Sequence, residues 1–459
     1  MNALIILSAF AIVILYLGLF NAKRALLPVT LVGLCVALIA VLAEWNTNAQ
    51  PIYSGMMLFD NFAVAFSTIC IFSTILIILI SKDYFERISE HVAEYYAILI
   101  FALAGILVML SYHNLSMLFI GIEIMSVSLY ILVGIRKKEY ASNEAALKYF
   151  LMGAFSTGFL LLGITLIYGA TGSFNLESIR GYVVSNPTSI FPLFYSGMIL
   201  MLIGFCFKIG VAPFHFWTPD VYEGSPTLIT AFMSTVAKTA AFAAFIRLFS
   251  ICFAPLSDFW MPAIVVIIVL TIFIGNITAV YQHSFKRMLA YSSISHAGYL
   301  LFATLLLGAA STNAVFVYAT AYSIASIIAF AVLILVRRET GSSSFDSFNG
   351  LAKKNPLMAF TLTIAIFSLA RIPLTAGFIG KFMVFSVVLS EYRIGLIGLA
   401  IINALIGIFY YLKVVMAMYF KEVDREKIAV PTYYKLVLCF SAVTTILLGI
   451  YPNFILALF

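Results

Sequence analysis

The chain has 459 residues, 63% hydrophobic and 10% charged, with a formal net charge of +7 and a mean hydropathy of +1.10. A soluble domain carries about 25% charged residues, so a water-soluble globular class and a charge-rich disordered class are both excluded. Apolar runs of ~20 residues recur from end to end and read as membrane-spanning helices, because lipid leaves the backbone no partner but itself.

About fourteen spans follow in chain order: 3–20, 25–43, 60–80, 95–111, 114–134, 144–170, 193–213, 226–250, 261–281, 287–309, 313–336, 357–388, 394–419 and 434–457. The first is too long for a signal h-region, lacks a basic leader and a small-residue cleavage site, and reads as a retained helix. Loops are short and no soluble domain intervenes. Residues 1–459 are therefore expected to form one transmembrane domain, with N-terminal helices in 1–90 and a C-terminal helix in 430–459. The seventh span breaks near Pro213, within KIGVAPFHFWTPDVYEGSPT (208–227), and the twelfth near Pro373, within RIPLTAGFIGKFMVF (371–385). Two broken helices, one in each half, point to an internal inverted repeat around a midplane path.

Basic residues test the topology. With the N-terminus outside, the inner loops collect Lys23, Arg136, Lys286, Arg337, Lys353, Arg425 and others, whereas the outer loops and ends hold only Arg180, Arg247 and Arg393. Positive loops stay inside, so both termini are expected on the outer side. Most of the basic excess is thereby topological, and no nucleic-acid partner is expected. The five cysteines (Cys35, Cys70, Cys206, Cys252, Cys439) are scattered without a CxxC pair. No iron–sulfur, zinc or other metal site and no cofactor is therefore expected in this chain. No G-x-G-x-x-G unit or Walker sequence marks a nucleotide site.

The remaining charges lie inside spans. Glu123 stands about 15 Å of helix from either end of its span, where a carboxylate must be paired or neutral. Lys208 precedes the first break. Lys238 sits mid-span among Ala, Ser and Thr, too deep to snorkel easily. Lys381 follows Gly377 and Gly380 beyond the second break. His296 and His215 can exchange protons near neutrality. Each has a bland alternative. The lysines and Glu123 could be internal structural pairs, His296 could be satisfied by Ser292 or Ser295, and His215 could cap the broken helix. Lys148 has Glu144 one turn away as an ordinary i,i+4 partner, and Lys413 could snorkel towards Lys421. Burial disfavours the charged form of such groups and an opposite charge restores it. A row of them joined by water can pass protons, and the absent redox ligand set means this chain is not expected to carry electrons.

KIGVAPFHFWTPDVYEGSPTLITAF (208–232), ALKYFLMGAFSTG (146–158), KRMLAYSSISHAGYLL (286–301) and YYLKVV (410–415) resemble the antiporter-like membrane subunits of NADH-quinone oxidoreductase, respiratory complex I. The resemblance covers roughly 60 to 450, and the TPDVYEG run points to one sibling among them. It implies an all-α fold of about fourteen transmembrane helices, with two inverted five-helix repeats (91–250 and 260–420) and broken helices 7 and 12. It implies proton translocation coupled to quinone reduction elsewhere. The essential glutamate falls on Glu123, the broken-helix lysine on Lys208, the central lysine on Lys238, the exit lysine on Lys381 and a lesser lysine on Lys148. The complex is expected to use NADH, FMN, iron–sulfur clusters and a quinone, none held by this chain. The expected partners are its antiporter-like siblings, small helical subunits and lipids in a bacterial inner membrane. The alternatives are a subunit of a sodium/proton antiporter and a structural assembly subunit. Where the family shows a small residue and then Ile-Pro-Pro-Thr, this chain has Arg371-Ile372-Pro373-Leu374-Thr375. The arginine either adds a charge to the exit path or packs against headgroups.

Overall fold

The computed structural model describes residues 2–20, 22–47, 49–88, 91–186, 189–389, 394–422 and 426–452. Arg393, Arg425 and the end of the last expected span lie outside the described residues. Apolar runs become α1 (Asn2–Leu19), α2 (Lys23–Leu42), α3 (Asn61–Leu79), a short α4 (Lys82–Glu86), α5 (Val92–Leu110), α6 (Leu115–Val133), α7 (Tyr140–Thr171), α8 (Leu176–Ser185) and α9 (Pro192–Ile209). After the break come α10 (Trp217–Gly224), α11 (Thr227–Phe232), α12 (Lys238–Leu248), α13 (Ser257–Val280), α14 (Phe285–Phe302), α15 (Ala309–Thr340), the short α16 (Leu351–Lys354), α17 (Pro356–Leu369), α18 (Ala376–Leu389), α19 (Ile394–Phe420) and α20 (Thr432–Ile450). Polar side chains set several starts: Asn114 accepts from Ser116 N at 2.8 Å and Asp60 from Ala63 N at 2.9 Å. Gly172 and Gly341, both at φ 71°, close α7 and α15 in the left-handed cap that glycine adopts most easily.

Eleven helical segments among the described residues are long and apolar enough to cross a membrane. One of them, Thr227–Val280, runs 54 residues and covers all but one end residue each of the eighth and ninth expected spans. The expected break in the seventh span is present, but α9 already ends at Ile209 and not at 213. The twelfth divides as expected into α17 and α18. The eighth span is not a continuous α-helix. A π-helical turn, Met233–Ala237, interrupts it immediately before Lys238, and a second, Phe249–Phe253, follows α12. Composition carries no signal for such a turn, because Ala, Ser and Thr are compatible with either ladder.

Two compact units divide the chain. The first comprises 1–209, 224–229 and 236–262. There α5 packs on α6 and α7 on α9. The approaches are close because glycines face backbone: a Cβ on Gly121 would meet Met109 N at 2.6 Å, and one on Gly163 would meet Gly197 O at 2.7 Å. Arg247, read from sequence as an outer end residue, instead lies buried in the last turn of α12. It is ion-paired to Asp60 and donates to Leu110 O at 2.9 Å.

The second unit comprises 210–223, 230–235 and 263–459. Its centre is α15, whose apolar window is wholly buried and which packs against α17, α18 and α20. Gly380 lets α18 come against Tyr318 of α15, with 2.8 Å between an added Cβ and the Tyr318 Cα. Within this unit Asp220 pairs with Arg287 at 3.1 Å and Glu223 accepts from Ser284 at 3.1 Å. Lys286 donates to the Glu223 carbonyl at 2.9 Å. The carboxylates of the TPDVYEG run thus tie α10 to the start of α14.

Candidate functional site

In the first unit α9 ends at Ile209, and the next residue, Gly210, takes φ 71°. That stop leaves Lys208 in the last turn, where a cation complements the carbonyl end of the helix. Lys208 Nζ donates to Ser126 Oγ at 2.8 Å. Ser126 stands on α6 three residues after Glu123, on the same helical face. The Glu123 carboxylate is the electrostatic neighbour of Lys208. Its Oε1 is buried with no hydrogen-bond partner among the described residues. The fold therefore brings together two of the residues singled out from sequence and adds Ser126 between them. Lys238 is 4% exposed and begins α12 directly after the π turn. Such turns free backbone groups and recur at functional sites. Lys148 is different. It pairs with Glu144 at 2.8 Å with 41% of its side chain exposed, the ordinary helix pair that spacing predicts.

In the second unit, His296 on α14 is 4% exposed. Its Nδ1 lies 2.8 Å from Tyr318 Oη and its Nε2 3.2 Å from Tyr411 Oη, and Tyr411 is 2.6 Å from Ser292 Oγ. Neither expected serine bonds the ring directly: Ser292 acts through Tyr411, and Ser295 Oγ has no partner among the described residues. Arg371 Nη2 reaches Tyr318 Oη at 3.2 Å and His296 Nδ1 at 3.3 Å. A guanidinium only donates, so Nδ1 must accept and Nε2 must carry the hydrogen. Tyr318 then donates to Nδ1 and Nε2–H donates to Tyr411, whose hydroxyl in turn shares a hydrogen bond with Ser292.

Lys381 is 9% exposed and lies over the rings of Tyr299 (4.6 Å) and Phe385 (4.9 Å). Arg371 covers the same Tyr299 ring at 3.8 Å. Cation–π contact partly replaces lost hydration for both. Arg371 is thus a buried charge beside Lys381, sharing its Tyr299 ring. Arg371 and Leu374 occupy φ 65° and 70°, a conformation that costs a side-chain-bearing residue about 1–3 kcal/mol. His215 lies in the break, its ring tilted on Phe216 at 4.6 Å, with Nδ1 lacking a hydrogen-bond partner among the described residues. Lys413 does not snorkel towards Lys421; its Nζ donates to Val280 O at 2.8 Å, at the carbonyl end of α13.

Sequence reading missed Ser126, Tyr299, Tyr318 and Tyr411. Helical spacing could have found Ser126 and Tyr299, each three residues from a singled-out group. Nothing local marks Tyr318. The five cysteines are unpaired, and among the described residues no three of His, Cys, Asp and Glu gather as a ligand set.

Residues 111–407 match the transmembrane family described as NADH:quinone oxidoreductase/Mrp antiporter. NADH-quinone oxidoreductase subunit N of Flavobacterium psychrophilum is 40% identical over 459 residues, covering 100% of both chains. Among solved structures, a chain of respiratory complex I from Thermus thermophilus with bound aureothin superimposes with TM-score 0.86. It is 31% identical, and the match covers 99% of this chain and 98% of that one. A chain of the Mrp complex from a Dietzia species shares the fold, with TM-score 0.89 at 20% identity over 99% and 95% of the two chains.

Proposed function

The chain belongs to the NADH-quinone oxidoreductase subunit N family, membrane-arm subunits of that enzyme complex, and on that premise we propose that it translocates protons there. The observation that carries the reading is the Lys208–Ser126 contact at a helix break, one turn from a buried carboxylate oxygen. Two charges 4 Å apart interact by about 4 kcal/mol at an effective dielectric of 20. A proton gained or lost at Glu123 therefore changes the proton affinity of Lys208, its electrostatic neighbour.

In this reading a charge change near Glu123 and Lys208 drives a proton through Lys238 and the His296 array to Lys381, which releases it outside. Water links the groups. His215 serves as an entry relay in the break, and Lys148 lies at the margin. The two broken helices belong to two inverted five-helix repeats. NADH, FMN, iron–sulfur clusters and quinone belong to other subunits, which fits the scattered cysteines of this one. Its partners are antiporter-like siblings and small helical subunits in a bacterial inner membrane, with both termini on the outer side.

The test is made in membrane vesicles carrying Lys208→Ala, after the complex is shown to assemble. NADH-driven quinone reduction and the pH gradient are followed together. Both should fall. If NADH oxidation is untouched and only sodium–proton exchange is lost, the chain works as an antiporter subunit. If the complex fails to assemble, the contact is structural.

A further inference from the structure

Within the second unit a partly open pocket with room for roughly one water-sized particle is lined by His296, Tyr318, Tyr322, Ser368, Arg371 and Gly377. Positive charge converges on it. Arg371 is 8% exposed, and a guanidinium stays charged at any physiological pH. Its Nη2 uses Tyr318 and His296, while its Nε is buried without an acceptor among the described residues. The N-terminus of α18, a helix of 14 residues, meets the cavity at Gly377 and contributes the positive end of its dipole. Lys381 shares the Tyr299 ring with Arg371.

Among the described residues neither cation has a carboxylate partner; their neighbours are hydroxyls, an imidazole and aromatic rings. A permanent charge buried at membrane depth needs a counter-charge. The backbone adds a second argument. Arg371 occupies a left-handed conformation that suits glycine. The side chain, not the turn, therefore explains an arginine here.

We propose that this cavity binds one monovalent inorganic anion of halide size, held by the Arg371 guanidinium with Tyr322 and Ser368 as further donors. Room for little more than one water-sized particle disfavours a carboxylate or phosphate ligand. A bound halide balances Arg371, so that Lys381 takes up a proton without leaving two net charges in one place. Only that last consequence rests on the proton-translocation reading.

The assembled complex, purified in detergent, is tested by equilibrium binding of radiolabelled chloride and by bromide anomalous scattering in crystals. The wild type should show a saturable halide site with bromide beside Arg371. Arg371→Gly, which the backbone favours, should abolish it, and Arg371→Lys should retain it with weaker affinity. Equal chloride binding by wild type and Arg371→Gly overturns the proposal, as does density beside Arg371 that belongs to a carboxylate of another subunit. Binding is read without turnover, so an intact halide site in a complex that does not pump counts against proton translocation alone.

Discussion

Lys208 and Ser126 meet at 2.8 Å although they are 82 positions apart in the chain, and the contact puts the amine one helical turn from Glu123. A hydrogen bond to a charged group contributes about 1.5–3 kcal/mol. Ser126→Ala should therefore lower NADH-driven pH-gradient formation while the complex still assembles. The double variant with Lys208→Ala should lose little more than Lys208→Ala alone, since the two act as one unit. Additive losses, measured in vesicles at matched complex content, would show that they act separately.

Lys238 follows a π-helical turn and is almost fully buried. Lys238→Met keeps the volume and removes the amine, so the helix should still insert. Coupled proton translocation should be abolished, with assembly on native gels unchanged. Normal pumping by this variant would remove Lys238 from the relay.

Tyr411→Phe keeps the ring but takes away the hydroxyl between His296 and Ser292. Leaving such buried groups unsatisfied costs about 1–3 kcal/mol. The expected outcome is a small fall in thermal stability and a larger fall in pumping rate. Restoring a hydroxyl by Phe→Tyr reversion should recover both. A stability loss with pumping rate intact would make the array structural.

Asp60→Ala serves as a control. It leaves the buried Arg247 guanidinium without its carboxylate. Breaking a buried pair from one side costs about 3 kcal/mol or more; Asp60 is partly exposed, so the lower figure is expected. The amount of assembled complex should drop, while pumping per assembled complex stays the same. A pumping defect at normal assembly would place this pair in the functional machinery.

Much of the fold was legible in sequence because lipid imposes one rule on every span: a run of apolar residues must close its own backbone hydrogen bonds. That rule set which stretches become helices and in what order. The prolines at 213 and 373 set the two breaks, since proline removes a donor and clashes with the preceding turn. It also singled out Glu123, Lys208, Lys238, Lys381 and His296, because a titratable group is costly wherever the surroundings are apolar. The π turn before Lys238 was not legible, as its residues fit an α-ladder equally well.

What only the tertiary structure decided is which of these groups has which neighbour. Sequence could not pair Lys208 with Ser126, nor set Tyr318 and Tyr411 on the two nitrogens of His296, because those contacts join helices distant in the chain. It left Arg371 between headgroup and path; close packing of α18 on α15 at Gly380 accompanies its position over Tyr299, beside Lys381. Burial of a charge follows from composition along one helix. Compensation of that charge depends on packing between helices, and for that reason it appears only in the folded chain.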